Sequence, residues 1–372
     1  MKPYVVYWNN VPAPYMVERF NAIADRGNFD FEAWFNDRDC FTNDWEINES
    51  SWRFNYQYLP FFSLGKYRIH FPSPLFRNKR PDVLVSLYAD PVFVIGWLIA
   101  KLCKIKTMFR TLVTFDSWVT RKRWKELFKR FLFSRVDGIE TPGEDGRKFA
   151  IRCGASTNKI YIVSHAVDVS YFYNKSKEAM IYRKKIRKIF GLNGLTFIYV
   201  GRLLDEKGLN YLLDAFSNLQ NRCKKKINLL LVGNGKDSDL LKKRCQKEKI
   251  HNVLFAGFWQ KQDLPFFYAA SDIFVFPTLG DPYGLVVNEA MACCLPVIST
   301  STAGEIESRI ENGVNGYIVP TKNSAALSKR MEELVKNTEL RKKMGELSSQ
   351  KIANLTPEKW AIDFENAIKN LV

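Results

Sequence analysis

Histidine is scarce in this chain, and the few histidines that occur lie far apart. The 372 residues include only His70, His165 and His251, which lack the spacing of paired metal ligands. The seven cysteines form no Cys-X-X-Cys pair, and their odd number argues against a disulfide framework. We therefore expect no zinc site, and the cysteines fit a reducing compartment such as the cytoplasm.

Long apolar runs are also lacking. The longest run, residues 91–100, is about half of the ~20 residues that a membrane-spanning helix needs. The N-terminal sequence is typical of a strand followed by a proline-broken loop, and it has no signal-peptide pattern. We expect a protein that is soluble or bound to a membrane surface. With 46% hydrophobic residues, the chain suits two α/β domains.

Strand-like and helix-like segments alternate along both halves of the chain, which predicts parallel, doubly wound sheets. The predicted strands of the first half are residues 4–8, 29–35, 54–59, 82–86, 107–112, 138–141 and 160–163. We expect a first α/β domain over residues 1–172 and a basic connector over 173–194. A second α/β domain then covers 195–355, and a final helix covers 356–372.

The most informative segment is residues 278–298, which read TLGDPYGLVVNEAMACCLPVI. Asp281 lies eight residues before Glu289, with the turn Tyr283-Gly284 between them. A loop that becomes a helix presents free backbone amides, and the helix dipole adds to their attraction for phosphate. Those amides belong to Gly284, Leu285 and Val286. The plain alternative is that the acids only cap the helix or face its dipole.

Two strand-to-helix loops precede this segment. Residues 197–216 read FIYVGRLLDEKGLNYLLDAF, and after the turn at Gly201 the loop carries Arg202 and Lys207. Fixed cations there would stabilise the charge of a diphosphate leaving group, unless they are only solvated surface cations. Residues 229–243 read LLLVGNGKDSDLLKK and contain the Gly-X-Gly pair Gly233 and Gly235, which alone is weak support for nucleotide binding.

Two further features near these loops have alternative interpretations. The Asp-Ser-Asp sequence at 237–239 imitates a metal motif, but its place at a helix start favours capping. Phe258 and Trp259 follow a predicted strand. These aromatic side chains could flank a nucleobase or simply pack against the core.

The order and spacing of these motifs resemble the retaining glycosyltransferases of family 4, whose signature is Glu, seven residues, Glu, with an aromatic-Gly pair inside. Glu289 matches the second Glu, and Asp281 stands in place of the first. The resemblance implies the GT-B fold, with two Rossmann-like domains facing across a cleft, and transfer without a metal or other cofactor. The donor would be a nucleoside-diphosphate sugar, with a UDP-sugar slightly favoured.

The resemblance also implies roles for single residues. Arg202 and Lys207 would clamp the diphosphate, Asp281 would orient sugar hydroxyls, and Glu289 would hold the ribose hydroxyls. The remaining donor-binding residues would be Gly201, Gly233, Gly235, Phe258, Tyr283, Gly284, Leu285 and Val286.

The first half matches the family less specifically, and we assign it the acceptor. The loop after the first strand contains Asn9 and Asn10 instead of the usual glycines. Relatives often place a His near the reacting carbon, whereas here Asp116 is the only carboxylate in the corresponding segment. Asp116 is a catalytic candidate, although an Asp before Ser is also a common helix cap. His165 lies in a segment that we expect to line the cleft.

Positive charge dominates the chain, which has a net charge of +17. Residues 101–135 contain 11 Lys and Arg against 2 Asp and Glu. Apolar residues recur there at helical spacing, at Trp124, Leu127, Phe128, Phe131 and Leu132. We predict that this apolar stripe is buried and that the surrounding basic residues rest on an anionic membrane surface, at its cytoplasmic face.

These observations predict an enzyme that transfers a hexose to a glycan or lipid-linked acceptor in surface polysaccharide or glycolipid assembly. A sugar-nucleotide epimerase or a phosphorylase of the same fold is the nearer alternative. Nucleic-acid binding is a more distant alternative, because the basic chain has no zinc finger, no RNP-like strand and no separate basic tail.

Overall fold

A computed structural model describes residues 2–38, 45–64, 67–87, 91–111 and 123–372, with the backbone alone at 64, 67 and 123–126. It divides into two compact units. The first contains the described residues up to Ala166 together with Leu355–Val372, and the second contains Val167–Asn354. Asp116, the catalytic candidate of the first half, lies outside the described residues.

Strands and helices alternate in both units. The strands are β1 Tyr4–Asn9, β2 Asp30–Phe35, β3 Asn55–Tyr58, β4 Phe61–Leu64, β5 Tyr67–His70, β6 Val83–Ser86, β7 Lys106–Arg110, β8 Gly138–Thr141, β9 Ile160–Ile162, β10 Leu195–Val200, β11 Ile227–Val232, β12 Val253–Gly257, β13 Ile273–Phe276, β14 Val297–Thr300 and β15 Gly316–Val319. The α-helices are α1 Pro14–Arg26, α2 Pro91–Leu102, α3 Arg123–Arg135, α4 Glu144–Arg152, α5 Val169–Ala179, α6 Arg183–Ile189, α7 Leu209–Arg222, α8 Ser238–Lys247, α9 Leu264–Ala270, α10 Leu285–Ala292, α11 Ile306–Arg309, α12 Ser324–Lys336, α13 Thr338–Ile352 and α14 Pro357–Lys369.

The first unit is built on a parallel sheet with the order β3-β2-β1-β6-β7-β8-β9. Its strands are those that the alternating pattern predicts. Both faces of the sheet are covered, which explains why Tyr7 and Trp8, neighbours on β1, are both buried. Tyr7 lies in a core with residues of α1 and α14, and Trp8 contacts Phe93 of α2 at 4.7 Å between ring centroids.

The C-terminal helix α14 packs in the first unit. Trp360 and Phe364, one helical turn apart, stack at 5.1 Å between ring centroids within the core that contains Tyr7. Arg26, in the last turn of α1, donates two hydrogen bonds of 2.7 and 2.9 Å to the buried carboxylate of Glu365. An apolar stripe and one charged pair therefore hold the end of the chain against its beginning.

The second unit has a parallel sheet with the order β12-β11-β10-β13-β14-β15. The chain reverses its direction of winding between β10 and β13, so these two strands flank the topological switch point. In open α/β sheets ligands bind beyond the carboxyl ends of the strands at this point. The loops that follow β10 and β13 are therefore the first place to look for a site.

The segment expected to be a basic connector is helical and packs in the second unit. Arg183 donates to Asp272 at 2.7 Å and to the carbonyl of Ser271 at 2.9 Å. Arg187, one turn later on α6, donates to the carbonyl of Ala270 at 2.8 Å. These cations therefore bind the chain ahead of β13, where the sequence suggests only a solvated charge run.

The predicted burial of the apolar stripe on α3 is wrong for three of its residues. Leu127, Phe128 and Phe131 are 65%, 44% and 46% exposed, whereas Leu132 is buried. The side chain of Trp124 lies outside the described residues. Throughout the part of the chain that the structure describes, no helix is both long and apolar enough to cross a bilayer.

Candidate functional site

The loop after β10 carries the two predicted cations. It leaves the strand at Gly201, forms a 3-10 turn over Asp205–Lys207 and enters α7 after Gly208. Gly208 has a φ of 68°, and a Cβ there would lie 2.0 Å from the carbonyl oxygen of Pro277. Glycine at this position lets the turn lie directly against the loop after β13, where the amide of Leu279 donates to the carbonyl of Glu206 at 2.9 Å.

The loop after β13 forms the turn that opens α10. Asp281 Oδ1 accepts from the amide of Tyr283 at 3.0 Å. Gly284 then has a φ of 70°, and a Cβ there would lie 2.6 Å from the ring of Phe276. Within the described residues, the amides of Leu285 and Val286 donate to no backbone carbonyl. The sequence predicts three free helix-start amides, those of Gly284, Leu285 and Val286, and these two are among them.

A buried arginine from a later helix fixes this turn, and no motif in the sequence indicates it. Arg309, at the end of α11, donates to the carbonyls of Tyr283, Gly284 and Gly304, the last two at 3.1 and 2.9 Å. Its guanidinium also lies 4.1 Å from the centre of the Tyr283 ring. Because Arg309 holds the carbonyls of the turn, the amide groups of the turn keep a fixed direction.

The two loops bring the predicted cations together. Lys207 Nζ donates to Asp281 Oδ2 at 2.7 Å, and both side chains are largely buried. Glu206 Oε1 lies 3.4 Å from Arg202 Nη2 and 3.9 Å from Lys207 Nζ. One carboxylate oxygen is thus within 4 Å of both cations, so the two side chains can hold a single anion. Arg202 and Glu206 are about half exposed and free to rearrange.

Glu289 lies in the second turn of α10 and has partners that the sequence did not indicate. Tyr268 of α9 donates its hydroxyl to Glu289 Oε2 at 2.9 Å. Burial raises the pKa of Glu289 to about 6, although Tyr268 and nearby Lys261 act in the opposite direction. Burial also lowers the pKa of Lys261 to about 8. A carboxylate held this way can accept hydrogen bonds from a diol.

The Gly-X-Gly loop after β11 has a packing role. A Cβ at Gly233 would lie 2.0 Å from the carbonyl oxygen of Gly201, and one at Gly235 would lie 2.2 Å from that of Leu203. The glycines therefore let this loop touch the cation-bearing loop. Asp237 stands at the start of α8, but its carboxylate accepts from the amide of Asp205 at 2.8 Å instead of capping its own helix.

The aromatic candidates differ in accessibility. Phe258 is half-buried, and Trp259 is exposed at one edge while its ring packs 5.0 Å from that of Phe267. Tyr283 is only 5% exposed, because its ring lies against Arg309. Tyr283 therefore supports the turn from inside, and its ring does not face solvent.

The acceptor candidates of the first half lie at the carboxyl edge of the first sheet. Asn10 is exposed, and its side-chain oxygen accepts from Asn36 at 2.9 Å. Asn9 and His165 are buried, and His165 Nδ1 lies 2.9 Å from Arg19 Nη1. The structure thus brings His165 to Arg19, a buried arginine of α1 that no sequence motif indicates.

The family match to known proteins covers the second half of the chain. Residues 183–351 match the family of glycosyl transferases group 1. An uncharacterised glycosyltransferase of Methanocaldococcus jannaschii is 35% identical over 132 residues, which are 35% of this chain and 33% of the relative. The capsular polysaccharide biosynthesis glycosyltransferase CapM of Staphylococcus aureus is 28% identical over 156 residues, 42% of this chain and 40% of that protein. The chain thus matches less than half the length of these two relatives.

The fold is similar to solved structures along the whole chain. The Anabaena protein Alr3699/HepE, crystallised with UDP-glucose, has a TM-score of 0.80 at 16% identity, with 99% of both chains covered. At this identity the likeness concerns the fold alone. It confirms the predicted GT-B fold of two Rossmann-like domains.

Proposed function

Residues 183–351 belong to the glycosyl transferases group 1, and from this premise we propose that the protein transfers a hexose from a nucleoside-diphosphate sugar to a glycan or lipid-linked acceptor. One observation carries the proposal. Arg202 and Lys207 approach the same oxygen of Glu206, beside the helix-start turn that follows Asp281. The Glu206 carboxylate marks the position that an oxygen of the diphosphate would take between the two cations.

The chemistry of transfer explains why cations are needed there. As the bond to the anomeric carbon breaks, negative charge develops on the departing diphosphate, and preorganised charges stabilise it. Arg202 and Lys207 supply the charges, and the amides of Leu285 and Val286 supply hydrogen bonds. Glu206 is mostly exposed, so it can swing into water when the diphosphate binds.

The two acids of the signature bind the hydroxyl groups of the donor. Asp281 is held by Lys207 and by the amide of Tyr283, which leaves it positioned to accept from sugar hydroxyls. Glu289, oriented by Tyr268, accepts from the ribose hydroxyls. UDP-sugars are the first donors to test, since HepE was crystallised with UDP-glucose.

We further propose that transfer retains the anomeric configuration and uses no metal. The cations of the site take the part that a metal ion plays in other transferases. The acceptor binds to the first unit, and its proton passes to the departing phosphate oxygen. The sugar-to-acceptor bond forms on the face from which the diphosphate leaves.

Binding of UDP tests the diphosphate site directly. We expect Lys207→Met to weaken UDP binding by tenfold or more. Glu206→Gln should leave it equal or tighten it by up to about fivefold, because exposed ion pairs are worth at most about 1 kcal/mol. Isothermal titration with UDP, GDP and ADP measures both effects. If Glu206→Gln weakened binding as much as Lys207→Met, the shared-anion interpretation would be wrong.

Product analysis then separates transfer from the alternative reactions. A transferase forms glycoside only when an acceptor is present. An epimerase converts the nucleotide sugar without acceptor, and a phosphorylase needs inorganic phosphate. Conversion of donor without acceptor into an isomeric nucleotide sugar would contradict the proposal.

We also propose that the first unit rests on an anionic membrane surface. An antiparallel hairpin, β4 and β5, and the turn after it expose Phe61, Phe62, Ile69, Phe71 and Phe76. Helices α2 and α3 expose Ile95, Leu98, Leu102, Leu127, Phe128 and Phe131. We call these eleven side chains the apolar face.

Contacts connect the elements that carry the apolar face. The rings of Phe71 and Phe76 stack at 5.7 Å, and the turn Ser73–Phe76 packs against α2. On the other side of α2, Trp97 lies 6.4 Å from Phe131 of α3. So large an exposed apolar area marks an interaction surface.

Charge identifies the partner of the apolar face. The sequence from residue 61 to 80 contains five Lys and Arg and no acid, and residues 91–111 contain four and no acid. Arg68, Lys79 and Lys101 are already paired with Asp37, Asp30 and Asp137, and Arg110 is buried. Arg77, Arg80, Lys104 and Lys106 are the described cations that remain for lipid headgroups. Each free cation near such a surface contributes about 1 kcal/mol. Apolar side chains ringed by cations fit an anionic bilayer better than a protein partner.

Cosedimentation with vesicles tests this surface. Wild-type protein should bind vesicles that contain phosphatidylglycerol, and Phe62→Ser with Phe71→Ser should reduce the bound fraction at least tenfold. Ile181→Ser removes a side chain of the second unit that is 82% exposed and should have no effect. Equal losses in both variants, or equal binding to neutral vesicles, would refute the proposal.

A further inference from the structure

A buried arginine of the first unit has two guanidinium nitrogens without a hydrogen-bond partner in the part of the chain that the structure describes. Arg110 is the last residue of β7 and is 2% exposed. Its guanidinium nitrogens Nε and Nη2 are buried and have no hydrogen-bond partner. The nearest carboxylate oxygen among the described residues, Glu140 Oε1, lies 3.9 Å from Nε, which is an ion pair without a hydrogen bond.

Glu140 is itself only partly available to this arginine. It lies beside Arg110 on β8, and its other oxygen accepts from the Tyr7 hydroxyl at 2.9 Å. Burial raises the pKa of Glu140, while Arg110 and Tyr7 lower it. The single acid of this cluster therefore leaves most of the guanidinium donors of Arg110 unused.

A second buried arginine adds to the excess of positive charge. Arg19 of α1 donates to the carbonyl of Ala166 at 2.7 Å, and its Nη1 lies 2.9 Å from His165 Nδ1. Neither partner is a carboxylate, and Nε of Arg19 also lacks a partner. Burial, and next the charge of Arg110, lower the pKa of Arg19 to about 10. Two guanidinium groups thus share the field of one carboxylate.

Burial removes the hydration of the Arg110 guanidinium and acts to lower its pKa, but the neighbouring Tyr7 and Glu140 outweigh burial and raise the pKa. The charge is therefore compensated, whereas the donors on Nε and Nη2 are left without acceptors, which is costly in a folded protein. The Tyr7 ring, 6.0 Å from the Arg110 guanidinium carbon, offsets only part of this loss. An incoming oxyanion would satisfy the unused donors. Arginine suits that role, since its planar fork binds carboxylates and phosphates in a bidentate manner.

The position of the cluster also fits a ligand site. Arg110, Glu140 and His165 lie at or beyond the carboxyl ends of strands of the first sheet, where open α/β sheets bind ligands. Tyr7 comes from β1, which flanks the switch point of that sheet. The unused donors are therefore at the edge where the acceptor is expected.

We propose that Arg110 and Arg19 form an oxyanion subsite of the first unit, which binds a negatively charged group carried by the acceptor. Naming the ligand as the acceptor depends on the proposed glycosyl transfer, whereas the anion site itself does not. A phosphate of a lipid-linked acceptor and the carboxylate of an acidic sugar have the same recognition chemistry. Glu140 and Tyr7 hold Arg110 in place from the inner side.

Oxyanion titration of the full chain tests the subsite. Lys207→Met serves as the background, so that phosphate bound at the donor site does not interfere. Inorganic phosphate and sodium glucuronate are titrated separately and followed by thermal shift and calorimetry. We expect one of them to bind, and Arg110→Met to weaken that binding at least tenfold. Arg53→Met, which removes an exposed cation of the same unit, should leave it unchanged.

Stability without ligand distinguishes a binding arginine from a structural one. Because Arg110→Met alone would leave the buried Glu140 without its ion partner, this test combines Arg110→Met with Glu140→Gln. If Arg110 awaits an anion, the double variant without added anion should melt at the same temperature as Glu140→Gln alone or higher. A purely structural arginine would give a lower melting temperature and an unchanged anion effect. Arg110→Lys should restore part of the anion binding. The subsite is refuted if neither anion binds, or if Arg110→Met binds as the background does.

The enzymatic test keeps this inference separate from the proposed function. With an anionic acceptor, Arg110→Met should raise the acceptor KM at least tenfold and leave UDP affinity unchanged. If the wild-type protein did not bind UDP, the transferase proposal would be wrong, and the anion titrations would be unaffected. An unchanged KM in Arg110→Met would overturn the subsite and leave the donor site intact.

Discussion

Alanine substitutions at Gly284 and Gly191 form a matched pair, because only the alanine at position 284 would clash with a neighbouring side chain. Gly284 and Gly191 have φ values of 70° and 64°, so alanine at either pays a similar left-handed penalty of about 1–2 kcal/mol. A Cβ at Gly191 has no atom within 4 Å, whereas one at Gly284 would lie 2.6 and 2.8 Å from two ring atoms of Phe276. The comparison therefore isolates the clash.

Phe276 cannot easily move, since it is 2% exposed and ends the central strand β13. Forcing an extra methyl group into such packing costs about 1–3 kcal/mol. Gly284→Ala should thus melt roughly 2–12 °C below Gly191→Ala, at about 2–4 °C per kcal/mol for a domain of this size. Differential scanning calorimetry of the two variants measures the gap.

Binding should follow the same order as stability. Moving the turn displaces the amides of Leu285 and Val286, so Gly284→Ala should bind UDP at least tenfold more weakly, while Gly191→Ala binds as the wild type does. Phe276→Leu in the Gly284→Ala background opens space and should recover part of both losses. Equal melting temperatures for the two alanine variants would refute the geometric argument.

Three further predictions concern single side chains. Lys207→Ala should lower turnover by two or more orders of magnitude, about 3 kcal/mol, in a steady-state transfer assay. The raised pKa of Glu289 favours its neutral form in the fold, so its contribution to stability is complete below about 4.5 and is lost as pH rises through about 6. The carboxylate that accepts from ribose predominates above about 6, so between pH 7 and pH 5 UDP affinity should fall about tenfold more in the wild type than in Glu289→Gln, which keeps only the dependence that comes from the UDP phosphate. Glu365→Gln loses hydrogen bonds from Arg26 and should lower thermal stability by about 1–3 kcal/mol, with UDP affinity unaltered.

The elements of the fold were largely predictable because parallel strands covered on both faces are continuous apolar runs. Leu229 to Val232 on β11 and Phe197 to Val200 on β10 are examples, and all are buried. The hairpin of β4 and β5 was not predicted, because its strands have only four residues each and β4 exposes the neighbouring Phe61 and Phe62. So short a strand shows no clear alternation of buried and exposed residues. Helices α5 and α6 were not predicted, because their many cations indicate a charged connector. In the structure Arg183 and Arg187 instead bind the chain just before β13.

The donor site was predictable only in its strand-to-helix loops. Arg202 and Lys207 follow β10 within a few residues, so their place at the carboxyl edge of the sheet follows from local order. Arg309 and Tyr268 come from helices outside those loops, and no spacing rule connects them with Gly284 or Glu289. Their role depends on how helices pack around the sheet, which local sequence does not encode.

Strand β7 illustrates why burial of charge escapes a sequence pattern. Lys106 and Arg110 stand four residues apart on the same face of the strand and look equivalent in sequence. Lys106 is exposed at the amino end, and Arg110 is buried at the carboxyl end, under the core shared by α1 and α14. Folding has therefore desolvated the cation at the end where α/β sheets bind ligands and left the other in water. That asymmetry is expected if Arg110 binds an anion at the edge where ligands enter.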